Sequence, residues 1–253
     1  MHYFALHTDN LVEEFNQPQN GQMLRRDHSS FLMPALGQPL AQDQLRAAAS
    51  IGYGKADFTS QLFAKEAGRT LVFLSFWADA DIPVYRHKQS DLSLPYWLVG
   101  AQSHDLTTKD ELRSAVAQTD AQRQRLAVLC DEFEHEGLLS NEQMASRYTA
   151  ILNHLPDDTQ VVVVLAPTLG PRQFQNPDLG EHPHHKRLNA ALRTVAAGRN
   201  NVMLLDPADF IHGAGDMIDL NHFKRPVYHR MYQDVLTRLS PAQTDKSQEA
   251  EYG

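Results

Sequence analysis

The chain has a single cysteine, Cys130, among 253 residues, which rules out an internal disulfide. It has no surplus of positive charge. Lys and Arg number 23 against 31 Asp and Glu, for a net charge of −8. Nucleic acid rewards a basic surface, so that balance argues against it as a partner. No apolar run approaches the roughly 18 residues of a membrane span. The first nine residues lack a basic region followed by an apolar one, so no secretion signal is read there. Together these absences lead us to expect a cytoplasmic protein, although a mature chain stripped of its signal would read the same way. Cys130 sits in the apolar run 126–130. It is expected to be a buried small residue of a helix core, with a catalytic thiol the minor alternative.

Apolar residues make up 42% of the chain and charged residues 21%, a composition that fits a globular domain. The length suits one α/β domain over residues 1–239. Within it, residues 1–45 are expected to wrap the surface. The polar stretch 240–253 reads as a disordered tail. Residues 160–167 form the clearest strand, short, β-branched and bounded by acids and Pro167. Residues 70–76 and 201–207 read the same way, and 2–6 and 49–53 are weaker strand candidates. Continuous apolar strands suit a sheet covered on both faces. Helical spacing is predicted over 57–67, 108–137, 186–197 and 225–239. The capping box Ser140–Gln143 opens a further helix toward His154. The alternation of strands and helices predicts one doubly wound parallel sheet flanked by helices. The runs 71–76, 161–165 and 202–205 should be adjacent, parallel and buried.

Ligands of such sheets bind beyond the carboxyl ends of the strands. Four loops follow. Gly52, Tyr53, Gly54 and Lys55 offer tight backbone geometry and a helix start that suits an anion, or form a plain strand-to-helix turn. Trp77 and Asp79, with Asp81 and Tyr85, suit a polar ligand or sugar, or a solvated acidic turn. Thr168 and Arg172 can meet an oxyanion, although the turn-forming role is favoured there. Asp219 and His222 form an Asp-x-x-His pair just before a helix that starts at Arg225. A carboxylate at that spacing can orient an imidazole and stabilise its protonated form. The cluster His182, His184, His185 invites a zinc hypothesis. With no distant partner evident in the sequence, a solvated loop is the expected reading.

The Asp219-x-x-His222 pair after the strand-like run 201–206, closed by the helix from Arg225, resembles the SGNH/GDSL hydrolases. The run from 165 to 210 ahead of it resembles the GSCFA-type and polysaccharide-biosynthesis relatives of that superfamily. The resemblance implies an SGNH/flavodoxin-like three-layer fold over about residues 50–239. It also implies an acyltransferase or esterase acting on a carbohydrate or polysaccharide precursor, with His222 as general base and Asp219 as its orienter. The family's serine would fall near 51–54, where glycine stands instead, and Ser50, just before that turn, is the candidate for a displaced catalytic nucleophile. Direct attack by a sugar hydroxyl on an acyl-CoA donor is then the alternative to an acyl-enzyme. No tightly bound cofactor is expected. Two other readings are a catalytically silent glycan- or partner-binding domain and a metal-dependent hydrolase using the histidine loop. The pair Asp219–His222 is expected at the carboxyl edge of the sheet, facing the 52–57 loop. Nothing in the sequence sets an oligomeric state.

Overall fold

The computed structural model describes residues 28–37, 39–59, 61–63, 71–98, 100–101, 104–108 and 110–239, with the short segments 18–19 and 22–23. The expected strand at 2–6, most of the N-terminal wrap and the tail 240–253 lie outside the described residues. The short segments pair as strands β1 (Pro18–Gln19) and β2 (Gln22–Met23).

The chain is α/β. Three of the predicted strands form one parallel sheet, β3 (Leu71–Ser75), β7 (Gln160–Val164) and β8 (Val202–Leu205), in the order β3-β7-β8. Strand β7 is central and pairs with both neighbours in parallel register. Successive side chains of a strand point to opposite faces, and here both faces are covered. Val161 and Val163 enter a core with Met144, Tyr148 and Ile151 of α6 (Asn141–His154) and with Leu188 and Leu192 of α8 (Pro183–Ala196). Val162 and Val164 enter a second core with Val227, Met231 and Val235 of α9 (Arg225–Leu239). Strand β8 lies at the edge of the described sheet and keeps three of its four residues half-buried, whereas β7 is buried from Val161 onward.

Not all described strands join that sheet. A separate antiparallel sheet has the order β5-β4-β6, from β4 (Val84–His87), β5 (Ser93–Pro95) and β6 (Phe133–Gly137). It packs against α2 (Gln42–Ser50) and α5 (Asp120–Glu132) through Ala47, Ala48, Leu126 and Leu129. Two sequence expectations fail here. Residues 108–137 were expected to be one helix. They form α4 (Asp110–Val116), then α5, capped by Thr119 and Gln122, and then strand β6. The run Phe133-Glu134-His135-Glu136 alternates with period two. Phe133 is buried against His87, while Arg86 of the neighbouring strand bridges Glu134 and Glu136. Residues 49–53 were expected as a strand. They are instead the end of α2 and a turn at Gly52, whose φ of 101° is costly for any side chain. Ala47, Ala48 and Ile51 share the buried face at helical spacing, which explains why that run looks apolar.

Shorter helices complete the described chain. They are α1 (Met33–Leu36), α3 (Ala78–Asp81) and α7 (Pro171–Gln175). The helix expected over 57–67 is replaced in its described part by two 3-10 turns, Lys55–Phe58 and Gln61–Phe63. Helix α8 starts three residues earlier than predicted because Pro183 takes the first helical position, where its missing N–H costs nothing. Cys130 is half-buried rather than a core residue, and Arg113 Nη1 donates to its sulfur at 3.1 Å. Burial pushes its thiol above the ordinary value despite the Arg113 charge, so it is a poor nucleophile. Among the described residues, no helix is long and apolar enough to cross a membrane.

Val163 has 2% of its surface exposed and is central to the first core. Val163→Ala should lower unfolding stability by about 2 kcal/mol in a urea titration, from lost apolar burial plus a cavity. An unchanged midpoint would contradict the central place of β7.

Candidate active site

Three groups of chemically capable residues follow the carboxyl ends of β3, β7 and β8, and each is built differently.

The Asp219–His222 pair sits on a tight antiparallel turn. Met217 and Phe223 pair across its base, and the Ile218 N–H donates to the His222 carbonyl at 2.7 Å. Both base residues are buried, so the intervening residues are pushed outward. Asp219 accepts the backbone N–H groups of Asn221 and His222 at 2.8 and 2.9 Å. His222 Nδ1 lies 2.8 Å from each Asp219 oxygen. Burial acts to raise the Asp219 carboxyl, but the bonds from His222 and Asn221 outweigh it and hold it below its ordinary value. The imidazole therefore has an ionised partner at Nδ1, and Nε2 is the nitrogen available for proton transfer. The side chains are 68% and 57% exposed, so the pair works in contact with water.

Two contacts attach this turn to β7 and to the segment that follows it. The Trp77 indole N–H donates to the Val164 carbonyl at 3.1 Å, and its ring meets Phe223 edge-on. Leu220 lies against Gly170, where a Cβ would approach Leu220 at 3.4 Å. Trp77 thus acts as a packing post between β3, β7 and the turn. The ring is half-buried and packs on Phe223, the residue that follows His222.

The loop Gly52–Lys55 is engaged elsewhere. Tyr53 is buried, stacks edge-on against Phe31 and donates its hydroxyl to the Pro95 carbonyl of the antiparallel sheet. The Gly54 N–H donates to Asp57 at 2.6 Å. Lys55 is exposed. Ser50 ends α2 and donates its hydroxyl to the Ala47 carbonyl at 2.8 Å. The expected confrontation of this loop with Asp219 and His222 gives way to packing on the second sheet, because Tyr53 and Phe58 are large apolar groups that belong to its core. Arg172 and Arg225 are exposed on α7 and at the start of α9. Thr168 donates to Glu181 at 2.7 Å.

Asp79 was expected either to grip a polar ligand or to lie in a solvated acidic turn, and it is fully buried. It accepts the Ser29 N–H at 2.7 Å and the Tyr148 hydroxyl at 2.9 Å, with His28 at 3.4 Å. Burial pushes Asp79 up to about 6 against the bonds from Ser29 and Tyr148 and the charge of Arg147. This network ties the 28–31 turn to α3 and α6 and is structural. The buried serines Ser29 and Ser30 were missed in the sequence, because their partners Asp79 and Arg147 lie 50 and 117 positions away along the chain.

The histidine loop also departs from expectation. His185 is fully buried. Its Nδ1 lies 2.6 Å from the Pro167 carbonyl and its Nε2 lies 3.2 Å from Asp81 Oδ2. His184 Nδ1 lies 3.0 Å from the other Asp81 oxygen. The distant partner that the sequence did not reveal is Asp81, more than 100 positions away along the chain. Burial acts to raise the Asp81 carboxyl, but the bond and charge of His185, with His182 and His184, hold it below its ordinary value. Burial, together with the neighbouring His185, lowers His182 and favours its neutral form.

No family model, curated protein or solved structure matches this chain.

Removing the Tyr148 hydroxyl leaves Asp79 one donor short in a dry site. Tyr148→Phe is expected to cost about 1–3 kcal/mol of unfolding stability. A chemical denaturation midpoint equal to that of the wild type would show that Asp79 does not rely on it.

Proposed function

We propose that the chain is an acyltransferase or esterase of SGNH-like fold acting on a carbohydrate or polysaccharide precursor. The observation that carries this reading is the geometry of Asp219 and His222. One imidazole nitrogen is held by both oxygens of an ionised carboxylate, and the other is left for a substrate. A parallel sheet covered by helices on both faces is compatible with the SGNH/flavodoxin-like architecture. The attachment of the pair beside the end of β7 agrees with ligand binding at that rim.

The side-chain hydrogen bonds of His222 among the described residues go to Asp219, and none comes from a hydroxyl that would serve as nucleophile. Direct transfer is therefore the favoured mechanism. His222 Nε2 takes the proton of an acceptor hydroxyl or water, and that oxygen attacks the acyl carbonyl carbon. When the bond to the leaving group breaks, the imidazolium returns the proton to it. With an acyl-CoA donor the bond broken is C–S and the leaving group is the thiol. Asp219 stabilises the imidazolium throughout and fixes its tautomer. Trp77 borders the site with an apolar ring edge, and Arg172 and Arg225 carry positive charge on neighbouring helices that suits an anionic donor.

The test uses purified full chain with acetylated sugars, and with acetyl-CoA plus sugar acceptors. His222→Ala should lower the rate by about a hundredfold or more while the circular dichroism is unchanged. Asp219→Asn should lower it as well, by leaving the imidazole in the wrong tautomer. Ser50→Ala should keep the wild-type rate, since its hydroxyl is spent on Ala47. Loss of activity in that variant would mean an acyl-serine route, and full activity in His222→Ala would remove this reading altogether.

A further inference from the structure

Two unlike elements bring Asp81, His182 and His185 together. Asp81 closes α3 beyond strand β3, and the histidines open α8 beyond strand β7. One ligand-capable atom from each lies within 4.8 Å of the others.

The hydrogen-bond chemistry of His185 constrains what lies between them. A carbonyl oxygen only accepts, so the nitrogen facing Pro167 at 2.6 Å must carry the proton. In a neutral imidazole the other nitrogen then presents a lone pair. That nitrogen is 3.2 Å from a carboxylate oxygen, which is also an acceptor. Two acceptors at that distance in a buried place repel unless a cation lies between them. The cation is either a second proton on His185 or a metal ion. The neighbouring ring favours the metal. His182 stands 4.4 Å from His185, centroid to centroid, and its Nδ1 is buried without a hydrogen-bond partner. An imidazolium at His185 would place a charge beside that ring and leave the nitrogen unsatisfied. A metal ion uses the lone pairs of both rings and one carboxylate oxygen at once.

We propose that Asp81, His182 and His185 form a binding site for one divalent transition-metal ion of the zinc class. The Pro167 carbonyl sets the tautomer of one ligand, as is usual for metal-bound histidine. His184, on the opposite oxygen of Asp81, holds the carboxylate in place. Two imidazoles and a carboxylate suit Zn²⁺ or Fe²⁺ and disfavour Mg²⁺ and Ca²⁺, which take oxygen donors. Three protein ligands leave a coordination position open for water or a substrate oxygen, the arrangement of a catalytic rather than a structural zinc site. Asp81 keeps 22% of its side chain exposed, which gives that position a route to solvent. The positive end of α8 opposes a cation here, and the charge of Asp81 offsets it.

The test is direct binding to the full chain after EDTA treatment and dialysis. Calorimetric titration with Zn²⁺ should give one ion per chain. Co²⁺ should give the visible d–d absorption of a nitrogen- and oxygen-ligated four- or five-coordinate ion. Asp81→Asn and His182→Ala should each weaken Zn²⁺ binding about tenfold or more. His182 is half-buried at a helix cap, so its variant is the safer one to fold, and the Co²⁺ spectrum of the unmutated chain needs no variant. His222→Ala should bind Zn²⁺ as the wild type does. That control separates this site from the base proposed above, whose failure would appear in activity alone. If the unmutated chain binds neither Zn²⁺, Fe²⁺ nor Co²⁺ more tightly than His182→Ala, the cation is a proton and the proposal falls. Loss of binding in His222→Ala, with Asp81→Asn unaffected, would also overturn it.

Discussion

The strand Gln160–Val164 must be buried on both faces at once, and the described architecture is organised around that requirement. Val161 and Val163 need one layer of helices, and Val162 and Val164 need another. Helices α6 and α8 supply the first and α9 the second. Helix α6 leads into the amino end of β7, whereas α8 and α9 come after the carboxyl ends of β7 and β8, where backbone groups run out of strand partners. Chemistry gathers there because chain ends, helix starts and tight turns meet at one edge.

Two histidine–carboxylate arrangements occupy that rim and share the segment that leaves β7. Pro167 supplies the carbonyl that fixes His185, and Gly170 supports Leu220 beside Asp219 and His222. Their environments separate their uses. Asp219 and His222 are wet, which suits the proton transfer proposed for them and limits the strength of each charge interaction. Asp81 and His185 are largely dry, where an unpaired lone pair is costly and a bound cation is strongly held. A third carboxylate, Asp79, is two residues from Asp81 and fully enclosed. Its donors Ser29 and Tyr148 come from the protein itself, so it serves the fold. The three acids near β3 and β8 thus differ in exposure and in the donors that reach them.

Legibility in the sequence followed the range of the interaction involved. The β-branched run 160–164 declares a buried strand because its signal is local and continuous. Helix α9 and the capping box at Ser140 were legible for the same reason, since caps and periodicity act within a few residues. The pair Asp219–His222 was legible because both residues sit on one turn and meet without help from elsewhere. Strand β6 was hidden because Phe133 to Glu136 follows a charged helix directly, and its period of two spans too few residues to stand out. Its identity depends on Arg86, about 50 positions earlier, which neutralises its two glutamates.

By itself the sequence determined the α/β class, the three parallel strands, the helix starts after Ser140 and at Arg225 and the Asp-x-x-His turn, because each rests on local periodicity, capping or spacing. Only the tertiary structure decided that the apolar loop at Tyr53 serves a second sheet rather than the site. It alone also decided that Asp79 is enclosed and that the histidine loop meets Asp81. Those outcomes rest on contacts between segments about 40 to more than 100 residues apart. A composition or a spacing cannot encode such a contact, because what brings the residues together is the packing of the elements that carry them.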